Sequence, residues 1–289
     1  MIITRLDGGL GNQMFQYAFG SNVSKLTGLT LKLDTRFLGE YRHYELGIFD
    51  IKNAFASEKE LLLFDRRKLS ILQKMFFKFR HNFTRTLLLS EQEGNENLIF
   101  LSHLPENIYL SGYWQNEMYF ESIEPLVRDI FKFPAFIERE NLLLESIIQH
   151  SESVSLHVRR GDYMLEQNKV VHGILPIDFY HNAISLIRKR LEDPVFIVFS
   201  DDVEWVKRNL FIEGKVQYST HNSGNRAFRD MQLMSICKHN IIANSSFSWW
   251  GAWLNNNLEK IVVAPIKWFA QPEKNDLHKN ILHRDWIRI

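Results

Sequence analysis

From residue 154 to residue 264 the chain alternates short strand-like runs with helix-patterned stretches, and this rhythm restricts the fold more than any other feature. Residues 154–158, 195–199, 215–218, 240–243 and 261–264 read as strands. Residues 176–191, 201–210, 225–238 and 247–258 read as the helices between them. Pro176 stands where a first helical turn tolerates proline. Asp178 comes early and Arg188, Lys189 and Arg190 come late, in the order the helix dipole favours. Ser200 is the expected N-cap of the 201–210 helix. Strands that alternate with helices in this way form a parallel, doubly wound sheet.

The N-terminal half opens similarly. Residues 2–6 read as a strand and 12–27 as a helix, with Gly28 as its C-terminal stop; 29–33 form the next strand, ending at Asp34. The middle, 58–145, is largely helical in pattern. A chain of 289 residues suits two domains. The boundary is expected within 145–153, giving an N-terminal α/β domain at 1–150 and a C-terminal α/β domain at 151–289.

Charge and cysteine use exclude several classes. A formal net charge of +1 argues against general nucleic-acid binding. A single cysteine, Cys237, rules out an intrachain disulfide framework and points to a reducing, cytoplasmic compartment. Its apolar helical surroundings suit a small buried hydrophobe better than a nucleophile. The start of the chain lacks the long apolar region of a signal peptide. No apolar run reaches the roughly 20 residues that span a bilayer. One segment, 66–85, stands apart: Arg66, Arg67, Lys68, Lys74, Lys78, Arg80 and Arg85 interleave with Phe76, Phe77, Phe79 and Phe83, without an acidic residue. It reads either as a helix lying on an anionic membrane surface or as a solvated helix face packing its Phe residues on the core.

In doubly wound sheets, ligands bind beyond the carboxyl ends of the strands. Three motifs fall there. His157-Val158-Arg159-Arg160-Gly161-Asp162 ends a buried strand in two guanidiniums, which grip a diphosphate bidentately and stay charged at any physiological pH. Side chains alternate along a strand, so His157 and Arg159 share one face and Arg160 takes the other. Arg159 is therefore assigned to the phosphate, and Arg160 partly to local structure, pairing with Asp162. His157 is either a phosphate donor or a satisfied buried histidine. Ser200-Asp201-Asp202 places acids in a helix's first turn, where they favour the dipole or accept the N–H donors of guanine. Asp202 with Glu204 is a weak metal signal. Asn244-Ser245-Ser246-Phe247-Ser248 opens a helix whose free N–H groups make an anion cradle. Trp249, Trp250 and Trp253 read as packing residues ahead of a sugar platform. Near the N-terminus, Asp7-Gly8-Gly9-Leu10-Gly11-Asn12-Gln13 is a tight strand-to-helix turn. It lacks the third glycine of a dinucleotide fingerprint and the Lys-Ser/Thr of a P-loop.

Gly-Gly-Leu-Gly-Asn-Gln-Met-Phe-Gln-Tyr at 8–17, His-Val-Arg-Arg-Gly-Asp-Tyr at 157–163, Phe-Tyr-x-x-Ala-Ile at 179–184, Phe-Ser-Asp-Asp at 199–202 and Asn-Ser-Ser-Phe-Ser-Trp-Trp-Gly-Ala-Trp at 244–253 resemble the bacterial α-1,2-fucosyltransferases of glycosyltransferase family 11. The resemblance implies a GT-B-like fold of two Rossmann-like domains. It also implies a GDP-L-fucose donor and inverting transfer without a metal or other cofactor to the 2-hydroxyl of a terminal β-galactoside, lipid-linked in O-antigen synthesis at the inner membrane face. The donor set is then Gly9, Gly11, His157, Arg159, Arg160, Asp162, Asp201, Asp202, Ser245, Ser246, Phe247 and Ser248. Arg159, Asn12 and Asp7 carry the reaction, with a carboxylate, Asp7 or Asp34, or a water as candidate base. The alternatives are a GDP-fucose transferase of different acceptor linkage and a non-catalytic sugar-binding module, which would not need a paired-arginine strand tip. A phosphatase or sugar kinase is disfavoured by the missing P-loop and metal clusters.

Overall fold

The structure is a computed structural model that describes residues 1–39, 42–51, 54–64, 86–91, 105–164, 169–171, 173–278 and 280–289. The basic segment 66–85 lies outside the described residues. The chain divides into two compact units, Met1–Lys132 and Phe133–Ile289.

The first unit contains β1 (Ile2–Arg5), α1 (Leu10–Thr27), β2 (Leu31–Asp34), β3 (Ala54–Phe55), α2 (Glu58–Leu61), β4 (Thr86–Ser90), β5 (Asn107–Ser111) and α3 (Glu124–Ile130). Its sheet runs β3-β2-β1-β5-β4, with every pair parallel. Both faces are covered: Ile2 packs with Phe19 and Val23 of α1, whereas Ile3 packs with Leu61 and Tyr109. Gly28 adopts φ 70° and its N–H reaches Ser24 O, the left-handed stop that ends α1. Of the middle of the chain, expected to be largely helical, residues 65–85 and 92–104 lie outside the described residues. The middle contributes β4 and β5, and β5 lies directly beside β1. The short sequence of β5, Asn-Ile-Tyr-Leu-Ser, has no alternation to announce a strand; its burial comes from its central place in the sheet.

The second unit contains α4 (Arg139–Gln149), β6 (Ser153–Val158), α5 (Ile177–Arg188), β7 (Val195–Ser200), α6 (Val203–Asn209), β8 (Lys215–Tyr218), α7 (Phe228–Ile236), β9 (His239–Ile241), α8 (Ser246–Leu254), β10 (Val262–Ala264), α9 (Pro272–Leu277) and β11 (Ile287–Arg288). The parallel order β11-β10-β9-β6-β7-β8 places β6 at the hub of a doubly wound sheet, as the alternation required. Val154, Leu156 and Val158 of β6 pack on α5 and Val206 of α6. Val195, Ile197 and Phe199 of β7 face the other way, onto Leu144 and Ile148 of α4 and Leu233 and Met234 of α7. Cys237 is buried on that second face, and burial pushes its thiol pKa up.

Several boundaries differ from expectation. The division falls at Lys132/Phe133 rather than at 150. The 133–138 stretch and α4 belong to the second core: Arg229 of α7 donates to Pro134 O at 2.7 Å and pairs with Glu138 at 3.3 Å. The helix expected at 201–210 begins at Val203 with Asp202, not Ser200, as N-cap; the Asp202 carboxylate accepts from Trp205 N–H at 3.1 Å. The helix expected at 225–238 is a 3₁₀ turn, Gly224–Arg226, followed by α7.

Candidate active site

The strand tip of β6 is built around Asp201. Beyond Val158, the two arginines diverge as strand alternation demands. Arg159 Nη1 lies 2.9 Å from Asp201 Oδ2, and the Arg160 backbone N–H donates to Asp201 Oδ1 at 2.8 Å. A side chain on Gly161 would begin 2.5 Å from Asp201 Oδ2, so any larger residue would have to displace this carboxylate. Arg160 turns to the α6 side. Its guanidinium sits 3.6 Å above the Trp205 ring, and its Nε is 3.6 Å from Asp202 Oδ2. Its partners are thus Asp202 and Trp205, where the sequence suggested Asp162; the Asp162 side chain lies outside the described part of the chain. The stack orients Arg160 and leaves its Nε buried without a hydrogen-bond partner among the described residues.

His157 is buried with its ring 5.9 Å from that of Phe247 and its Nδ1 unpartnered among the described residues. Burial, and then the charge of Arg159, push its pKa down to about 3. The imidazole is therefore neutral at working pH and lends the site no charge. The unfolded chain takes up this proton near pH 6.5 and the folded chain does not, so stability is full above that value and declines as pH falls. Between pH 7 and pH 5 the loss is about 2 kcal/mol. Urea unfolding at the two pH values should show this loss as the difference in pH dependence between the wild type and His157→Gln.

The third motif joins the first through Tyr163, whose hydroxyl donates to Asn244 O at 3.0 Å. The side chain of Ser245 caps α8, accepting from Phe247 N–H, and Ser246 begins the helix. Ser248 is turned inward, its hydroxyl on Ala243 O and Ser245 O, so it faces the backbone instead of a ligand. Trp249, Trp250 and Trp253 are buried against one another, as expected of packing residues. Among the described residues no group of three His, Cys, Asp or Glu forms that could hold a metal ion. Asp202 is spent on capping, and Glu204 pairs with Lys207 at 2.8 Å.

In the first unit the glycine turn follows β1. Gly8 has φ 79°, and Gly9 is the N-cap residue of α1 with no side chain to cap it. Asn12 Oδ1 accepts from Gln115 Nε2 at 2.7 Å, and Asp7 pairs with Arg5 at 2.7 Å. Gln13 ties the turn to a distant loop: its Nε2 donates to Gly8 O and His43 O, and its Oε1 accepts from Glu45 N–H at 2.9 Å. Asp34 is sealed at the end of β2. Burial pushes its pKa up, but hydrogen bonds from Arg36 and from Tyr109 Oη at 2.7 Å hold it below the usual carboxylate range. Asp7, Gly9, Gly11 and Asn12 thus gather in one unit, and His157, Arg159, Arg160, Asp201, Asp202 and 244–248 in the other. Gln13, Gln115, Tyr163 and Trp205 supply the scaffold; the motifs at 8–17 and 157–163 contain Gln13 and Tyr163 and were the only sequence signal for them.

The sequence profile of Glycosyl transferase family 11 matches residues 1–289. The chain belongs to this family. The family 11 chain is 36% identical to an Alpha-1,2-colitosyltransferase of Escherichia coli, over 100% of its own length and 99% of that protein's. It is 35% identical to the O-antigen biosynthesis glycosyltransferase WbnK of Escherichia coli, over 98% and 99% of the two lengths. Its fold matches that of NodZ alpha-1,6-fucosyltransferase co-crystallized with GDP, with a TM-score of 0.55 at 14% identity, over 86% of this chain and 90% of that one. The architecture is therefore GT-B-like, each unit carrying a parallel sheet. Among the described residues no helix is long and apolar enough to cross a membrane.

Proposed function

We propose that this family 11 glycosyltransferase moves L-fucose from GDP-L-fucose to the 2-hydroxyl of a terminal β-galactoside, with inversion and without a metal, in the assembly of a surface polysaccharide. The observation that carries this reading is the β6 tip. There a guanidinium, fixed by Asp201 where Gly161 leaves the carboxylate room, stands ready for a leaving diphosphate. As the anomeric C–O bond breaks, negative charge moves onto the β-phosphate, where Arg159 and the start of α8 neutralise it. The carboxylate of Asp201 uses two of its lone-pair sites on Arg159 and Arg160, which leaves capacity to accept guanine N–H donors. Asn12 positions the sugar or the acceptor.

A second reading has a specific observation in its favour. The full-length match to an alpha-1,2-colitosyltransferase supports colitose, which is fucose without its 3-hydroxyl, as the transferred sugar. The linkage is shared by the two readings; only the donor sugar differs.

One set of assays tests both. GDP should raise the melting temperature well above the effect of UDP or ADP, since only a ligand that binds the folded state stabilises it. With a β-galactoside acceptor, GDP-L-fucose and GDP-colitose are then compared, and the product linkage is read by NMR. Turnover should persist in excess chelator. Equal melting shifts with all three diphosphates would overturn the reading. A clear preference for GDP-colitose would select the second, and activity restored only by added metal would move charge stabilisation away from Arg159.

A further inference from the structure

The base that accepts the acceptor's proton is the open step of this reaction, and the two carboxylates suggested by sequence are poorly suited to it. Asp34 is buried and held by Arg36 and Tyr109, which stabilise its charge. Asp7 is neutralised by Arg5. A third carboxyl sits beside the same glycine turn. Glu45 Oε1 lies 3.9 Å from the point where a side chain on Gly9 would begin, beside Arg42 Nη1, which lies 3.3 Å from the same point. Gln13 fixes the Glu45 backbone to the turn, and the Leu10 backbone N–H donates to the Glu45 carboxylate. The turn follows β1, at the carboxyl end of the sheet, where α/β folds bind ligands.

We propose that Glu45 is the general base of this transferase. It takes the proton of the attacking acceptor hydroxyl while the oxygen bonds to the anomeric carbon and the anomeric C–O pair departs with GDP; solvent then removes the proton. The proposal rests on the transferase reading above. Proton affinity supports the geometry. Burial pushes the Glu45 pKa above the ordinary range, against the opposing effects of Arg42, the Leu10 amide and His43, the charged and donor groups that face it among the described residues. A carboxylate so raised is a stronger base at neutral pH than an ordinary one. Asp34 and Glu60 of the same unit are shifted the other way.

The test is Glu45→Gln, which keeps the size and the acceptor for Leu10 N–H. With its donor, kcat should fall by roughly 10²-fold while KM for the donor holds, the scale for losing a positioned base. The wild-type kcat should decline on the acid side as Glu45 protonates, and the variant should lack that limb. Folding should not suffer. A pKa raised by folding means stability is lost as pH rises through the folded value, so removing the charge leaves the melting temperature at neutral pH equal or higher. A variant with wild-type kcat and an intact acid limb overturns Glu45 while the transferase stands. Failure of the wild type to transfer any sugar overturns the transferase reading itself. If the variant does not fold, the wild-type profile still decides: turnover flat through the acid range refutes a raised carboxyl base.

Discussion

Arg159→Ala is expected to lower kcat by roughly 10²–10³-fold, the scale for removing one preorganised anion-stabilising donor. The reason lies in how the guanidinium is held. Arg159 stands one residue past the end of β6, on the hub strand of its sheet, with Nη1 fixed by Asp201 at 2.9 Å. A fork so placed meets the diphosphate without reorganising at the moment of reaction. Its bonds strengthen as charge moves onto the β-phosphate, so kcat should suffer more than ground-state binding of GDP. Arg159→Lys keeps the charge but loses the planar fork: one ammonium cannot serve Asp201 and two phosphate oxygens with the same geometry, so it should fail nearly as badly. Folding should survive both changes, because about one-quarter of each side chain of the pair is exposed, so Asp201 keeps contact with water when its partner is removed. Steady-state kinetics alongside melting curves check this. Near-wild-type turnover in either folded variant would remove Arg159 from the reaction and with it the diphosphate clamp.

What could be read from the sequence follows from what is local. Strand β7 is buried on both faces, so it is a continuous apolar run that announces itself, whereas β6 alternates Val154, Leu156 and Val158 with the buried Ser153, Ser155 and His157. The divergence of Arg159 and Arg160 follows from the two-residue period alone. The partner chosen by Arg160 does not: it depends on where α6 lies over the sheet, which brings Trp205 and Asp202 to it. β5 was hidden for a similar reason, its burial being conferred by β1 and β4 and not by its own five residues. The α4 segment was assigned to the wrong unit because its attachment runs through Arg229 and Leu233, far along the chain. Glu45 shows the limit most clearly. Nothing around it in sequence marks it; it reaches the glycine turn through Gln13, a separation of 32 residues, and through the Leu10 N–H.

The second large effect is expected at Asp201. Its carboxylate receives Arg159, the Arg160 backbone N–H and the close approach of Gly161, so three consecutive residues of the strand tip depend on it. Asp201→Ala leaves the Arg160 N–H without its partner and lets Arg159 swing, and turnover should drop by about 10²-fold, since catalysis of this kind depends on fixed geometry. Asp201→Asn is the more telling variant. It retains an oxygen for Arg160 N–H but replaces the charged partner of Arg159 with a neutral one, and its amide hydrogens would oppose the N–H donors of guanine. If the carboxylate also reads the base, GDP binding should weaken by about 1.5–3 kcal/mol, the cost of losing a charged hydrogen-bond acceptor. The preference for GDP over ADP in melting shifts should then narrow. A variant that loses turnover yet keeps its full preference for GDP would confine Asp201 to holding Arg159. Intact turnover together with intact GDP affinity would show that the strand tip holds its shape without this carboxylate, and the construction of the site proposed here would be wrong.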